Sequence, residues 1–244
     1  MNELEAVEAL AYRDLVSHAP GGAVCELRGG LCLTIALLPA LEVNRVVRVT
    51  ADLDLDAVAS FFGITPHMVS APAGLAALES SLEARGYTPR YAWMKFDRGA
   101  EPAPAAHTGL TVDETDDPGA FGRPAAAAFT GDAANHRLFG GVVGLRGWHC
   151  FVARAGSEEA ASGALFVDGD VGWLGVGATR AEFRRRGAQN AIMAARIETG
   201  RRLGVRRFVT ETGERLPGRE SGSYRNILRA GFREAYVRPN WASG

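Results

Sequence analysis

The stretch that decides the fold is Thr179-Arg-Ala-Glu-Phe-Arg-Arg-Arg-Gly-Ala-Gln-Asn190. It follows a strand-like run, Val171–Val176, and opens a pattern of apolar residues at helical spacing that ends near Leu203. The first turn of a helix has unpaired N–H groups and the positive end of the helix dipole, so phosphate groups bind there readily. Gly187 has no Cβ, so its backbone can be approached closely by a phosphate. These features together predict an anion site between a strand and a helix.

Three consecutive arginines, Arg184, Arg185 and Arg186, add positive charge to this turn. Two common nucleotide-binding patterns are missing from the sequence. There is no GxxxxGK[ST] stretch, which argues against a P-loop, and no GxGxxG after a first strand, which argues against a dinucleotide-binding fold. Because a lone arginine run at a helix start is usually a solvated surface, the assignment depends on a second stretch downstream.

The arginine-rich turn resembles the pyrophosphate-binding motif of the GNAT (GCN5-related N-acetyltransferase) family, Arg/Gln-x-x-Gly-x-Gly/Ala. Here the motif is Arg184-x-x-Gly187-x-Gln189, and its last position departs from the family pattern. A second stretch, Ser223–Phe232, resembles the family's later helix, which ends in Gly-Phe. The two stretches occur in the expected order with a strand between them, and the resemblance covers residues 109–238.

The resemblance implies an acyl-CoA-dependent N-acyltransferase that uses acetyl-CoA as co-substrate. In the family, the strand before the loop pairs with the pantetheine arm and polarises the thioester carbonyl, and the loop and helix start hold the pyrophosphate. For the developing oxyanion, the resemblance points to the amide of Ala178 or of Thr179. The residues expected to bind CoA are Gly177, Ala178, Thr179, Arg184, Arg185, Arg186, Gly187, Ala188 and Gln189.

Direct attack of an amine on a thioester requires an acid, a base and oxyanion donors. The family often places a general-acid Tyr four residues before the helix-ending glycine, where this chain has Ile227. Tyr224 lies one helical turn earlier and is the candidate acid. The family's Asn, eleven residues before that glycine, is replaced by Glu220. Glu220 and Glu211 are the candidate catalytic bases, and a chain of water molecules is the alternative.

The chain divides at a Pro- and Ala-rich stretch, residues 99–108, which is predicted to be a linker. Residues 109–244 form the predicted acyl-CoA-binding catalytic domain. Residues 1–98 look similar to a degenerate GNAT-like domain. They lack the Arg-x-x-Gly-x-Ala element and are therefore not expected to bind CoA. Both halves end in a helix, a glycine, an aromatic residue and a strand. The fold class expected is α/β, of the α+β type, with a central mixed sheet flanked by helices.

Hydrophobic periodicity predicts the individual elements. Predicted helices include Glu3–Ser17, Leu55–Phe62, Ala73–Glu83, Phe121–Ala128, the helix ending near Leu203, and Ser223–Arg229. Predicted strands include Gly22–Leu27, Leu31–Leu37, Arg45–Val49, Tyr91–Phe96, Trp148–Ala153, Ser162–Val167, Val171–Val176, Arg206–Glu211 and Arg233–Arg238.

Composition narrows the choice of partners. The chain has 244 residues and a formal net charge of −1, so no bulk positive field favours nucleic acid. The five histidines show no metal-ligand spacing, and the three cysteines are read as reduced thiols. No apolar run is long enough for a membrane span and no signal peptide is recognised, so a cytoplasmic protein is expected. The acceptor is expected to be a small-molecule amine, and the protein a monomer or a homodimer.

Two alternatives remain open at this level. Loss of the family's Tyr and Asn favours a non-catalytic CoA-binding or regulatory module. A basic face running from Arg184 to Arg207 is the feature that would suit nucleic acid, although the near-neutral net charge argues against it.

Overall fold

The chain divides into two units, seen in a computed structural model that describes residues 3–38, 40–216, 218 and 221–244. Unit 1 consists of Met1–Lys95, Thr212–Pro217 and Ala235–Gly244. Unit 2 consists of Phe96–Glu211 and Gly218–Glu234.

Unit 1 is a mixed sheet with helices. Its helices are α1 (Glu3–Ser17), α2 (Leu55–Phe62) and α3 (Ala76–Ala84). Its strands are β1 (Gly22–Leu27), β2 (Gly30–Ile35), β3 (Arg45–Val47), β4 (Met68–Ser70), most of β5 (Thr88–Gly99) and most of β11 (Arg233–Ala242). They are ordered β1-β2-β3-β4-β11-β5, and the β3–β4 pair is parallel.

Unit 2 carries the arginine-rich turn and is also built on a mixed sheet. Its strands are β6 (Thr111–Glu114), β7 (Trp148–Ala155), β8 (Glu158–Asp168), β9 (Val171–Thr179) and β10 (Arg207–Gly213, whose last two residues belong to unit 1). Its helices are α4 (Pro118–Phe129), α5 (Arg137–Gly140), α6 (Ala188–Arg202) and α7 (Gly222–Arg229). The strand order is β10-β9-β8-β7-β6, antiparallel from β6 to β9 and parallel between β9 and β10. The predicted mixed α/β architecture is confirmed.

Helices cover both faces of the unit 2 sheet. On one face, Ala188 and Ile192 of α6 pack with Phe151 of β7 and Ala161 of β8. On the opposite face, α4 contacts β7, β8 and β9. Apolar burial on both faces is what holds the strands of a mixed sheet in a fixed register.

Side chains cap several helices at their first turn. Asp54 at the start of α2, Asp117 at the start of α4 and Ser221 at the start of α7 each accept a backbone N–H of the first turn. Such caps satisfy donors that have no partner inside the helix. Helix α6 differs, because its cap is a glycine with no side chain to offer.

A buried ion cluster lies in unit 1. The carboxylate of Glu8 on α1 accepts hydrogen bonds from Arg238 at 2.6 and 2.9 Å and from Lys95 at 2.6 Å. Arg45 adds a contact at 3.4 Å. Burial acts to raise the pKa of Glu8, but the three cations outweigh it and hold that pKa well below the ordinary carboxyl value.

The predicted helices and strands agree best with the structure where hydrophobic periodicity within the segment itself indicates them. Helices Glu3–Ser17 and Leu55–Phe62 and strand Gly22–Leu27 have the predicted bounds, which confirms them. Strands β4 and β6 are too short to give a periodic signal and were not predicted. Leu203, predicted to lie on the apolar face of the long helix, caps α6 and is 50 % exposed.

The division of the chain differs from the predicted one in two respects. Ala235–Gly244 joins unit 1, because the end of β11 pairs with β4, with Asn240 opposite Ser70. The predicted linker 99–108 belongs to unit 2 and is tied to α6. The N–H of Ala103 donates to Glu198 at 2.8 Å, and the carbonyl of Ala100 accepts from Arg201 at 2.8 Å. Backbone bonded in this way is packed structure rather than a free linker.

Candidate functional site

Strands β9 and β10 begin as a parallel pair and then separate. Their backbone pairing ends where Trp173 stands opposite Val209. One step further, the hydroxyl of Thr210 donates to the carbonyl of Leu174 at 2.7 Å, in place of a backbone bond. Gly177 is exposed although its strand has neighbours on both sides. We call the gap between the two strands beyond Leu174 and Thr210 the wedge.

A bulge distorts β9 beside the wedge. Ser162 of β8 pairs with Ala178, and Ala164 pairs with Gly175, so β9 advances three residues while β8 advances two. Val176 within this step has φ of 51°, a left-handed conformation that β-branched residues rarely adopt. Such a conformation costs about 1–3 kcal/mol and persists only where the surrounding structure enforces it. Contacts with the surrounding structure must therefore maintain the bulge in β9.

The alternation of an antiparallel ladder decides which amides face the wedge. The N–H of Arg180 donates to the carbonyl of Ala160 at 3.0 Å, so Arg180 and, two residues back, Ala178 face β8. Thr179 lies between them, and its N–H and carbonyl face away from β8, toward the wedge. Of the two predicted oxyanion donors, the geometry favours Thr179 over Ala178.

The start of α6 is an uncapped cluster of N–H groups. Gly187 precedes the helix with φ of 80° and gives no side-chain cap. The first bond to the cap residue is from the N–H of Ala191 to the carbonyl of Gly187, at 3.1 Å. Within the described part of the chain, the N–H groups of Ala188, Gln189 and Asn190 have no backbone or side-chain acceptor. Donors of this kind at a positive dipole end are suited to an anion.

Three exposed arginines surround this helix start. Arg184, Arg185 and Arg186 are exposed, and none of them pairs with a carboxylate of the described residues. Arg185 has φ of 64°, so the loop reverses direction there. The guanidinium of Arg186 lies 5.1 Å from the ring centroid of the buried Phe183, which anchors the loop. The positive charge of the loop is thus uncompensated at the end where the helix dipole is also positive.

Gly187 is needed for a reason that the sequence did not indicate. A Cβ on this residue would lie 2.4 Å from the carbonyl oxygen of His107. Next to it, the hydroxyl of Thr108 donates to the carbonyl of Arg186 at 2.8 Å. The segment around residue 107 therefore packs directly on the glycine, and this packing, together with its positive φ, accounts for the residue.

Gln189 occupies the position where the family motif has Gly or Ala. Its side chain forms hydrogen bonds with the end of β9. Its Nε2 donates to the carbonyl of Ala178 at 2.7 Å and to the hydroxyl of Thr179 at 3.0 Å. Its Oε1 would lie 3.0 Å from a Cβ on Gly177. Its backbone N–H remains available at the helix start, so only the side chain has a different role from the one expected.

Arg196 of α6 is a buried cation that the sequence did not single out. Its Nη1 donates to the carbonyls of Ala164 at 3.0 Å and Gly175 at 3.1 Å, and Nε has no partner within the described residues. The residue is 2 % exposed. Burial lowers the pKa of Arg196 to about 9, so the group keeps its charge at neutral pH. The sequence feature that could have indicated burial of Arg196 is its position four residues after the core residue Ile192, on the same face of the helix.

Glu211 is the catalytic candidate that lies beside the wedge. Its two carboxylate oxygens accept the indole N–H of Trp173 at 3.2 and 3.1 Å. Glu211 follows Val209, where the pairing of β10 with β9 ends, and it is half-buried. The ring of Trp173 lies over Gly175, where a Cβ would meet it at 1.8 Å. The indole N–H thus orients this carboxylate beside the wedge.

Tyr224 is held in the core of unit 2. Its ring packs edge-on against Phe96 with centroids 4.9 Å apart, and its hydroxyl donates to Glu234 at 2.5 Å. Only 3 % of the residue is exposed. The hydroxyl proton is already engaged, so the general-acid role of Tyr224 stays a prediction. Glu220 lies outside the described residues.

The described part of the chain shows neither a cluster of metal-ligating side chains nor a membrane-spanning helix. Its His, Cys, Asp and Glu side chains form no group of three or more that could hold a metal ion. None of its helices combines the length and the apolar character needed to cross a membrane.

Several solved structures are similar to this chain in fold. No protein-family model and no curated protein matches the chain. A GCN5-related N-acetyltransferase from Kribbella flavida matches with a TM-score of 0.65 at 15 % identity, over 98 % of this chain and 95 % of that chain. A tandem GNAT protein from the clavulanic acid biosynthesis pathway gives a TM-score of 0.62 at 14 % identity, over 99 % and 95 %. A GCN5-related N-acetyltransferase from Sphaerobacter thermophilus gives 0.59 at 15 %, over 91 % and 75 %.

The chain has the GNAT fold. The resemblance drawn from the arginine-rich turn and the Gly-Phe helix is confirmed at the level of the fold. Within the GNAT fold of unit 2, the structure brings the predicted strand residues 177–179 and the helix start at 187–189 together through the side chain of Gln189. It also places Glu211 on the strand beside them.

Proposed function

We propose that this protein is an acyl-CoA-dependent N-acyltransferase that moves the acetyl group of acetyl-CoA to the amine of a small molecule by direct attack. The observation that carries the proposal is the combination of the wedge with the uncapped, arginine-flanked start of α6. The wedge offers unpaired backbone groups that can bind the amides of the pantetheine arm. The start of α6 offers N–H donors and positive charge that can bind the phosphates.

The proposed CoA site uses both features. The pyrophosphate binds the free N–H groups of Ala188, Gln189 and Asn190, and the side chains of Arg184 and its neighbours add charge. The pantetheine arm lies along β9 in the wedge, where its amides pair with backbone groups that β10 leaves unpaired.

The proposed reaction has three steps: deprotonation of the acceptor, attack on the thioester and release of CoA. The acceptor ammonium first loses a proton to Glu211, which leaves a neutral amine. The amine nitrogen then attacks the thioester carbonyl carbon, and the N–H of Thr179 stabilises the negative oxygen that forms. When the C–S bond breaks, CoA leaves as a thiolate, and the second amine proton passes to it through water or through Tyr224.

A second candidate is a CoA-binding module without catalysis. The observation that favours it is the state of Tyr224, whose hydroxyl is engaged by Glu234. The position of the family's general-acid Tyr is taken by the buried Ile227. In this case the site binds CoA as drawn above, but the C–S bond of the thioester is not broken and no acyl group is transferred.

Calorimetry with CoA, followed by a thiol-release assay with acetyl-CoA and a panel of small amines, tests the proposal. We expect CoA to bind, and release of thiol to depend on an amine. A triple variant, Arg184→Gln, Arg185→Gln and Arg186→Gln, should weaken CoA binding at least tenfold, while Arg90→Gln, an exposed charge in unit 1, should leave it unchanged. Binding without turnover on any amine selects the second candidate. Absence of CoA binding by the unmodified protein rejects both.

A further inference from the structure

We propose that Arg196 and Gln189 of α6 hold the bulge of β9 in the shape that acyl transfer needs, and are positioning residues for the reaction. The inference rests on the proposed acyltransferase function, because the bulge matters for catalysis only if the thioester lies in the wedge. Neither residue touches the reacting atoms; both act through the backbone of β9.

Arg196 holds the side of the bulge nearer the start of β9. Its Nη1 donates to Ala164 and to Gly175, which are the residues paired with each other just before the register shifts. Gly163 lets the guanidinium reach this place, since a Cβ there would lie 3.1 Å from the Arg196 Cζ. The strained Val176 follows Gly175 directly, so the arginine fixes the carbonyl on one side of the strain.

Gln189 holds the other side. Its Nε2 donates to the carbonyl of Ala178 and the hydroxyl of Thr179, the first residues after the bulge. Gln189 and Arg196 are seven residues apart on one helix, so they share a face. One rigid helix thus grips β9 immediately before and immediately after its strained residue. This fixes the direction of the Thr179 N–H toward the wedge.

The burial of a charged side chain at position 196 also favours a positioning role. A buried guanidinium with no carboxylate partner among the described residues loses hydration, and an apolar side chain of similar size would remove this cost together with the hydrogen bonds to Ala164 and Gly175, so that the two effects on stability largely offset each other. A residue present only for stability would not have this property. The cation also lies next to Gly175, on the strand where negative charge develops in the proposed reaction.

The test uses Arg196→Met, Arg196→Lys and Gln189→Ala in the full chain. For Arg196→Met we expect a nearly unchanged melting temperature, a Kd for CoA within about threefold, and a kcat reduced about 100-fold, as a small misplacement of a catalytic group can cause. Arg196→Lys keeps the charge and one donor contact, and should recover part of kcat. Gln189→Ala, which installs a residue of the family motif, should retain CoA binding and lower kcat by a smaller factor.

Amide hydrogen exchange over residues 174–180 provides a readout independent of activity. Faster exchange there in Arg196→Met and Gln189→Ala, with the rest of unit 2 unchanged, shows that the two residues hold the bulge, whether or not the proposed acyl transfer takes place. This separates a failure of the inference from a failure of the proposed function. If Arg196→Met lowers melting temperature, CoA affinity and kcat in parallel, the residue is structural and the inference fails. It also fails if kcat and exchange stay at their original values. Should Arg196→Met not fold, the same comparison is made with Gln189→Ala and Arg196→Lys.

Discussion

Trp173 of β9 donates its indole N–H to both carboxylate oxygens of Glu211 on β10, at 3.2 and 3.1 Å. The contact lies where the pairing of the two strands ends. It fixes the orientation of a half-buried carboxylate beside the wedge, which supports the proposed role of Glu211 as the base.

Glu211→Gln keeps the size of the side chain and an acceptor for the indole, but removes the basic group. We expect kcat to fall about 100-fold or more, which is the usual contribution of a general base. The Kd for CoA should change little, because the proposed pyrophosphate contacts lie at the start of α6. Stopped-flow or steady-state thiol release and calorimetry measure the two quantities. If kcat stays within a few fold of the original value, the acceptor amine is deprotonated by water and not by Glu211.

Tyr224→Phe separates catalysis from packing. The hydroxyl is buried and donates to Glu234, so its loss should lower the free energy of unfolding by about 1–3 kcal/mol. The same engagement favours a kcat within a few fold of the original value. A kcat reduced about 100-fold with unchanged CoA affinity would instead establish Tyr224 as the general acid. Urea unfolding and steady-state kinetics on one preparation decide between the two.

Gly187→Ala tests the role of the glycine before α6. The alanine would have φ of 80° and a Cβ 2.4 Å from the carbonyl of His107. Gly131→Ala is the matched control, because it has φ of 76° but open space around the Cβ position. We expect the control to cost about 1 kcal/mol of unfolding free energy, from conformation alone, and Gly187→Ala to cost about 1–3 kcal/mol more. Equal losses would show that the contact with residue 107 is easily relieved.

Glu8→Gln tests the buried ion cluster of unit 1. It removes the carboxylate charge that Arg238, Lys95 and Arg45 share, while Arg238 keeps its contact with Glu5, and it should lower the free energy of unfolding by about 3–5 kcal/mol. Glu83→Gln, an exposed carboxylate in the same unit, should have almost no effect.

The same cluster predicts a pH dependence with a definite sign. The pKa of Glu8 is lower in the folded than in the unfolded chain, so its contribution to stability is present above the unfolded value and is lost as pH falls toward the folded one. Denaturant unfolding at neutral pH and at successively more acidic pH should therefore show a steeper loss of stability for the unmodified protein than for Glu8→Gln. Parallel pH profiles would contradict this assignment.

The sequence alone determined the features that depend on local pattern. Helix Leu55–Phe62, with Asp54 at its start, and the helix after Gly187 follow from periodicity and capping chemistry. The prediction of an anion site at the start of α6 follows from the same local rules, because the N–H groups, the helix dipole and the arginines all belong to one short stretch. The mixed fold could be anticipated once that stretch was matched to a known motif.

Tertiary structure decided everything that depends on residues distant in sequence. The wedge lies where β10 stops pairing with β9, and the bulge lies where Arg196 of α6 donates to the backbone of Gly175. No periodicity encodes a register shift or a buried cation bonded to carbonyls. The chain end at 235–244 joined unit 1 for the same reason, since strand pairing is chosen by non-local hydrogen bonds and burial and not by position along the chain.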